Sequence, residues 1–477
     1  MEKSLAELVA EFPPPVPISA AAVRRARATA GDDIVYVVID DDPTGTQSVS
    51  DLPLLMTWEK ADLVWAFQTG RPAVYVMTNS RSLSAVDAAR VNREVARNAY
   101  AAAAETGTQI AFVSRSDSTL RGHFPLEPDV LQTEIAAASG QEIAGVVIVP
   151  TFANAGRITV GGVHYAGLSA RGYVPVGETE YAQDATFGYR SSRLADWVAE
   201  KTGGRIPAAA VVTLDLGTLR SDPAGTRQIL RSVSGGQMVA VDAVTPTDLR
   251  LLALALIDVE ASGTRLLYRT GPDFVAARIG QEQRAPLSRA EIAAVRGKHD
   301  FAAGGLVVVG SHVALTTRQL EALCQRADIR QFELDVAQVI DPQTAAAHIA
   351  EISAQVAQAV RAGTAVLCTS RRLVTGDSGE DSLEIARRVS RAVVQAVQRI
   401  MAAVTPKFVL AKGGITSSDV AAYGLQIRRA VVAGPLLPGM VSLWVAQDGV
   451  ATGIPYAVFP GNVGDAQSLA DVVAALS

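Results

Sequence analysis

Short runs of β-branched and aliphatic residues alternate along this chain with Ala-rich stretches of helical period. That alternation predicts a largely parallel sheet covered by helices. In the first half the runs are Ile34 to Asp40, Ala73 to Asn79, Ile110 to Arg115, Gly145 to Pro150 and Gln237 to Ala243. Helical stretches such as Ser82 to Glu105 lie between them, and Thr245-Pro246-Thr247-Asp248 opens another, with two threonines able to cap it. A second cycle runs through Gly304 to Ser311, Gln331 to Val336, Thr364 to Ser370 and Lys407 to Gly414. The polar stretches Gln281 to Pro286 and Arg296 to Asp300 separate the cycles and read as a linker. The expected fold is α/β in two domains, each a largely parallel sheet flanked by helices. Its boundaries are an N-terminal arm at 1–33, a first domain at 34–284, a linker at 285–301 and a second domain at 302–477.

Composition narrows the class of protein. A chain of 477 residues exceeds the size at which one hydrophobic core usually keeps growing, which supports two cores. With 49% hydrophobic and 19% charged residues it reads as a well-buried enzyme-like protein, and a net charge of -5 argues against a nucleic-acid-binding surface. The first thirty residues carry early acidic residues and a proline cluster, unlike a signal peptide, and no apolar run reaches membrane-spanning length. The expectation is a cytoplasmic protein with no membrane partner. Cys324 and Cys368 sit in apolar stretches and are expected to be buried thiols. The five histidines are scattered without metal-ligand spacing, so no protein-only metal site is expected and any metal should arrive with a substrate.

In open parallel sheets, ligands bind outside the carboxyl ends of the strands. Four polar clusters follow strands in the first half. Asp40-Asp41-Asp42-Pro43-Thr44-Gly45 places carboxylates where a strand stops. They could accept hydrogen bonds from sugar hydroxyls, take a proton from an attacking hydroxyl, hold a magnesium ion through water, or simply cap a helix. Thr78-Asn79-Ser80-Arg81 offers an arginine at the next strand end, and Arg115-Ser116-Asp117-Ser118-Thr119-Leu120-Arg121 is dense in hydroxyls and guanidinium groups. The arginine fork suits a carboxylate, so the repetition points to an anionic, hydroxylated small molecule. The fourth, Pro150 to Tyr165, contains Arg157 and His164 and could line the same cleft or form a hairpin. A lone histidine such as His164 more often packs than reacts.

In the second half, Gly310-Ser311-His312 ends a strand ahead of Thr316-Thr317, and Lys412-Gly413-Gly414-Ile415-Thr416 places a glycine pair between a strand and a helix start. Glycines let backbone N–H groups approach a phosphate. The spacing matches neither GxxxxGK[ST] nor GxGxxG. Two later glycine-bearing loops follow at Gly434 to Gly439 and Pro460 to Gly464.

Taken together the segments resemble the four-carbon acid sugar kinase family. The resemblance rests on Asp41-Asp42-Pro43-Thr44-Gly45, Ser116 to Gly122, Ala155-Gly156-Arg157, Gly310-Ser311, Lys412 to Ser417 and Pro460 to Gly464, in that order along nearly the whole chain. It implies an N-terminal acid-sugar-binding domain, a C-terminal nucleotide-binding domain and transfer of the γ-phosphoryl group of ATP to a terminal sugar hydroxyl. Asp41 or Asp42 would orient or deprotonate that hydroxyl. Asp41, Arg81, Arg115, Ser116, Asp117, Ser118, Thr119, Arg121 and Arg157 would hold the acid sugar. Ser311, Lys412, Gly413, Gly414, Ile415, Thr416, Gly434 and Gly461 would surround ATP, with Mg2+ delivered by the nucleotide and Lys412 neutralising developing charge. The implied partners are small molecules, a sugar acid and ATP, with room for a homo-oligomer. Pro43, Thr46-Gln47, His312 and the arm depart from the family pattern and leave the particular acid open. Two rival readings use the same residues: a magnesium-dependent sugar-phosphate phosphatase or aldolase, and a non-catalytic sugar-acid or nucleotide sensor.

Overall fold

The computed structural model describes all residues except Met1, Pro43, 169–171, 327, 372–373 and 375–378, so Pro43 lies outside the described residues. The chain divides into two compact units, Met1–Gln283 and Arg284–Ser477.

The first unit opens with α1 (Leu5–Val9) and α2 (Ala20–Ala30), then β1 (Val35–Asp40), β2 (Leu52–Leu55), α3 (Lys60–Gln68), β3 (Ala73–Met77), α4 (Ala85–Thr106), β4 (Ile110–Arg115), α5 (Leu126–Ser139) and β5 (Gly145–Val149). A hairpin and its neighbour follow as β6 (Arg157–Val160), β7 (Val163–Leu168) and β8 (Gly172–Pro175). The unit closes with α6 (Leu194–Lys201), β9 (Val212–Leu214), α7 (Leu216–Ser221), α8 (Pro223–Ser232), β10 (Gln237–Val241), α9 (Pro246–Ala261), β11 (Leu266–Thr270) and α10 (Asp273–Arg278). The large sheet runs β2-β3-β1-β4-β11-β5-β10-β9, parallel at every pairing. β1, β3 and β5 are buried throughout, which is why they read as continuous apolar runs. Strands β6, β7 and β8 form a separate antiparallel sheet, so the fourth cluster is a hairpin, turning at Gly161-Gly162.

Caps fall where the sequence offers them. Ser84 caps α4, and Thr245 with Asp248 forms a reciprocal capping box on α9 that also uses Pro246 in the first turn. The arm is built into the unit: Leu8 packs with Ile158 and Val160, Val23 packs with Ala253 and Ile257, and Lys3 pairs through its backbone with Tyr173.

The second unit contains α11 (Arg289–Val295), β12 (Leu306–Val309), α12 (Ala314–Cys324), β13 (Ile329–Leu334), α13 (Val336–Ile340), α14 (Ala345–Ala362), β14 (Thr364–Thr369) and α15 (Gly379–Ala403). It continues with β15 (Val409–Lys412), α16 (Gly414–Asp419), β16 (Arg429–Leu437), β17 (Val441–Ala446), β18 (Pro455–Phe459) and α17 (Ser468–Leu476). Its sheet is parallel from β13 through β14, β12 and β15 to β18, then antiparallel through β17 to β16. Residues 285–301, read as linker, carry α11, and Leu287 and Ile292 are buried in the second core. Cys368 is buried, whereas Cys324 is only half-buried. Among the described residues no helix is long and apolar enough to cross a membrane.

Candidate functional site

Strand register sets the first site. Asp40 stands opposite Met77 on β3 and Arg115 on β4, so three strand ends finish at one level. The chain leaves β1 toward β2 and β3 on one side and crosses to β4 on the other, the switch at which open α/β sheets bind ligands. Asp40 is fully buried; its Oδ1 accepts from Arg115 Nη1 at 2.8 Å and from the Asp42 amide at 3.0 Å. Burial raises its pKa to about 7 against the opposing pull of Arg115.

Asp42 points the other way. Its Oδ1 accepts from the amide and hydroxyl of Thr44 at 2.8 and 2.6 Å, and its Oδ2 is ion-paired with Arg81. Asp41 differs from both: 1% of its surface is exposed, and among the described residues neither carboxylate oxygen has a hydrogen-bond partner. Arg81 Nη1 at 3.8 Å and Arg115 Nη1 at 4.0 Å are its nearest cations. A buried carboxylate with both oxygens unpaired is expensive unless a ligand or water meets it.

Arg81 is also 3.8 Å from Asp117, whose Oδ2 accepts from Arg121 Nε at 2.6 Å and from the Thr119 hydroxyl. Burial alone would raise the Asp117 pKa, but the two guanidinium groups and that hydroxyl outweigh it and hold the carboxyl well below its usual range. Arg121 and Arg157 both lie over the Tyr181 ring, at 5.4 and 5.2 Å from its centre. Arg157 Nη2 reaches the Tyr181 hydroxyl at 3.2 Å, while its Nε has no partner. One continuous row therefore joins Asp42, Arg81, Asp117, Arg121, Tyr181 and Arg157. Ser116, Ser118 and Thr119 are buried beside it, with the Ser116 amide donating to the Thr270 carbonyl at 3.0 Å. His164 is buried and supports the row: its Nε2 meets the Ser118 carbonyl at 2.7 Å and its Nδ1 the Thr159 hydroxyl at 2.9 Å. Burial lowers its pKa to about 4, so it stays neutral and packs.

The sequence reading missed three buried charged groups. Arg269 lies inside β11, 3% exposed, with Nη1 3.4 Å from both the Ser114 hydroxyl and Glu127 Oε2 and with Nη2 unpartnered. Glu127 on α5 accepts from the Ser80 hydroxyl at 2.6 Å, and burial raises its pKa. Asp273 accepts from the Ser48 hydroxyl at 2.7 Å and the Ala153 amide at 3.0 Å, and burial lifts its pKa to about 6. Arg269 was hidden because β11 itself was not read as a strand.

The second unit gathers glycine-bearing segments at the ends of β12, β15 and β18. A Cβ on Gly461 would lie 2.8 Å from Ser311 Oγ, and one on Gly310 would collide with Thr416 Oγ1, so both close approaches need glycine. Gly413 adopts φ +121 and leads through Gly414 into α16; Ile415 on that helix is exposed. Thr316 donates to the Gly461 carbonyl at 2.9 Å, and Gln319 Nε2 donates to the carbonyls of Val463 and Asp465 at 3.0 and 2.7 Å, fixing the loop after β18. Beside this cradle lies a cavity of about 360 Å³ lined in large part by aliphatic side chains, including Val336, Ile385, Val389 and Ile415, with His312, Thr369, Ser390, Thr416 and Asp419 as polar groups.

Lys412 and Gly434, both expected at the nucleotide, have protein partners in this structure. Lys412 is fully buried: Nζ donates to the Pro460 carbonyl at 2.6 Å and the Gly461 carbonyl at 3.3 Å and sits 4.0 Å from the centre of the Phe459 ring. Its ammonium holds the loop, because β15 delivers it to the interior. Gly434 lies on β16, two strands from β18, against Arg284 and Leu287, where it serves a bulged strand. Among the described residues no group of three or more His, Cys, Asp or Glu is placed to hold a metal ion.

A row of carboxylates and arginines stands at parallel strand ends in one unit, and a glycine cradle beside an apolar cavity in the other. Family models divide the chain at the same place: residues 36–278 match a sugar-binding N-terminal domain and residues 306–469 a nucleotide-binding C-terminal domain. The chain belongs to the four-carbon acid sugar kinase family. It is 30% identical over 335 residues to D-erythronate kinase of Heliobacterium modesticaldum, 67% of each chain, and 29% identical over 391 residues to D-threonate kinase of Bordetella bronchiseptica, 82% of each. Among solved structures, a protein of Salmonella typhimurium LT2 shares the fold at TM-score 0.66 and 17% identity, covering 92% of this chain and 98% of that one. A Haemophilus influenzae protein does so at TM-score 0.61 and 18% identity, covering 92% and 100%.

Proposed function

We propose that the protein is an ATP-dependent kinase of a four-carbon sugar acid. The observation that carries the reading is Asp41, a buried carboxylate with two unpaired oxygens amid arginines, in a chain related to D-erythronate and D-threonate kinases. A ligand rich in hydroxyls and carrying its own negative charge suits both halves of that environment. Arg121 and Arg157 take the carboxylate of the acid, and Asp41 accepts from a hydroxyl deep in the site.

Asp42 is the more exposed of the two, with 19% of its side chain accessible against 1% for Asp41, and it orients the attacking hydroxyl. Arg81 is ion-paired with it. The hydroxyl oxygen forms a bond to the γ-phosphorus of ATP, the bond from that phosphorus to the bridging oxygen breaks, ADP leaves, and the hydroxyl proton passes to Asp42. Phosphoryl transfer asks mainly for such positioning. Ser311, Gly413, Gly414, Thr416 and Gly461 cradle the phosphates, and the aliphatic cavity takes the nucleoside. Mg2+ would be held chiefly by the phosphate oxygens of the nucleotide, and when bound it offsets their charge.

The test is ADP formation with a panel of four-carbon acids, their oxo derivatives and longer aldonates. At least one four-carbon acid should be phosphorylated, and Asp42→Asn should lower turnover about 10²- to 10⁴-fold with ATP affinity unchanged. Undiminished turnover in that variant removes Asp42 from its role. Phosphate release without ATP points to the phosphatase reading, and binding of acid and nucleotide without transfer to the sensor.

A further inference from the structure

Asp41 and Arg269 converge on one glycine. Gly122 has φ +115, and a Cβ added there would lie 2.8 Å from Asp41 Oδ2 and 3.2 Å from Arg269 Nη2. The two groups therefore stand no further apart than those lengths laid end to end, about 6 Å, and among the described residues neither atom has a hydrogen-bond partner. A buried acceptor and a buried donor of opposite charge thus stand close together without meeting, beside a glycine whose positive φ few other residues adopt. An oxygen that accepts from a guanidinium at about 2.9 Å and donates to a carboxylate at about 2.7 Å, the two bonds meeting at about 115°, sets the end atoms about 4.7 Å apart, within that limit. An alcohol hydroxyl can do both. A ketone oxygen can accept from Arg269 but leaves Asp41 unpaired, and a methylene satisfies neither.

Resting on the kinase reading above, we propose that the gap between Arg269 and Asp41 over Gly122 binds one secondary, non-reacting hydroxyl of the substrate, and so selects fully hydroxylated tetronates over their oxo and deoxy counterparts. Arg269 is then a substrate-binding and specificity-determining residue supplied by the middle of a strand. Glu127 and Ser114 aim its guanidinium from behind.

Equilibrium binding by calorimetry on the full chain tests this. The ligands are the best tetronate of the panel and analogues of it deoxygenated or oxidised at C2 or at C3. In the wild type, change at one of these carbons should weaken binding at least about 30-fold. In Arg269→Gln the parent acid should bind about 10- to 100-fold more weakly, and the penalty at that carbon should shrink to within about threefold. Arg269→Lys, which keeps the buried charge opposite Glu127, gives a second reading of the same coupling if the glutamine variant folds poorly. The wild-type ligand series needs no variant at all. If the wild type binds the parent acid but tolerates change at both carbons, or if the penalty persists undiminished in the Arg269 variants, the gap holds only a resident water and the inference is overturned. If the wild type binds no tetronate, the kinase reading itself fails.

Discussion

Replacing Lys412 by methionine should leave the second unit about as stable at pH 7 while weakening nucleotide binding. The ammonium is fully buried, and no carboxylate is paired with it among the described residues. Desolvation lowers its pKa from 10.5 to about 7, which corresponds to about 4–5 kcal/mol lost to the folded state at neutral pH. Against this stand two hydrogen bonds, at 2.6 Å to Pro460 and 3.3 Å to Gly461, together contributing about 2–4 kcal/mol. Methionine removes both terms and fills a similar volume, so the difference should lie within about 2 kcal/mol of zero. The loop carrying Gly461 loses an anchor, and nucleotide affinity should fall about tenfold or more.

The pH dependence separates this reasoning from a simple loss of contacts. Between pH 7 and 10.5 the unfolded chain holds one proton more than the folded chain at this lysine, so wild-type stability rises with pH across that window. Methionine has no such slope. Relative to wild type, Lys412→Met should be most favoured at pH 7 and lose about 3 kcal/mol by pH 9.5. Hydrogen exchange of the β15 and β18 amides, compared between the two proteins at each pH, reads the second unit without interference from the first. A variant destabilised by more than about 3 kcal/mol at both pH values would refute the argument, since the ammonium would then be a well-satisfied charge.

Gly310→Ala should push the Thr416 side chain out of the cradle and weaken ATP binding at least about tenfold, while sugar-acid affinity measured in the same calorimeter stays unchanged. His164 is a base whose folded pKa is depressed from 6.5 to about 4; its contribution is intact above pH 6.5 and is lost as pH falls toward 4, by up to about 3 kcal/mol. His164→Gln, which can still donate to the Ser118 carbonyl, should flatten that part of the acid unfolding curve of the first unit; an unchanged slope would mean the histidine is not the titrating group. The Asp42→Asn turnover loss and the Arg269 coupling described above complete the set.

What the sequence made legible follows from how each residue meets its strand. Asp41, Asp42, Arg81, Asp117 and Arg121 stand just past the ends of β1, β3 and β4, where a polar residue interrupts an apolar run, so position alone marked them. The same logic misplaced Lys412, the last residue of β15: its side chain lies on the buried face, and only three-dimensional register tells a strand-end side chain that faces a ligand from one that faces the loop of its neighbour. Gly434 failed for a related reason. A glycine in a loop and a glycine at a bulge look alike until β16 is seen as a strand, and the antiparallel turn of the second sheet through β17 to β16 broke the alternation on which the fold reading rested. Arg269 is the instructive omission. Inside Leu266–Thr270 it breaks a short apolar run, and a charge in such a place argues against a strand on propensity alone. A charge kept in the centre of a parallel sheet must be matched there, and in this chain Glu127 meets one face of it while the gap over Gly122 leaves the other facing Asp41. The feature that made the strand unreadable is thus the one that gives the site a donor the strand ends could not supply.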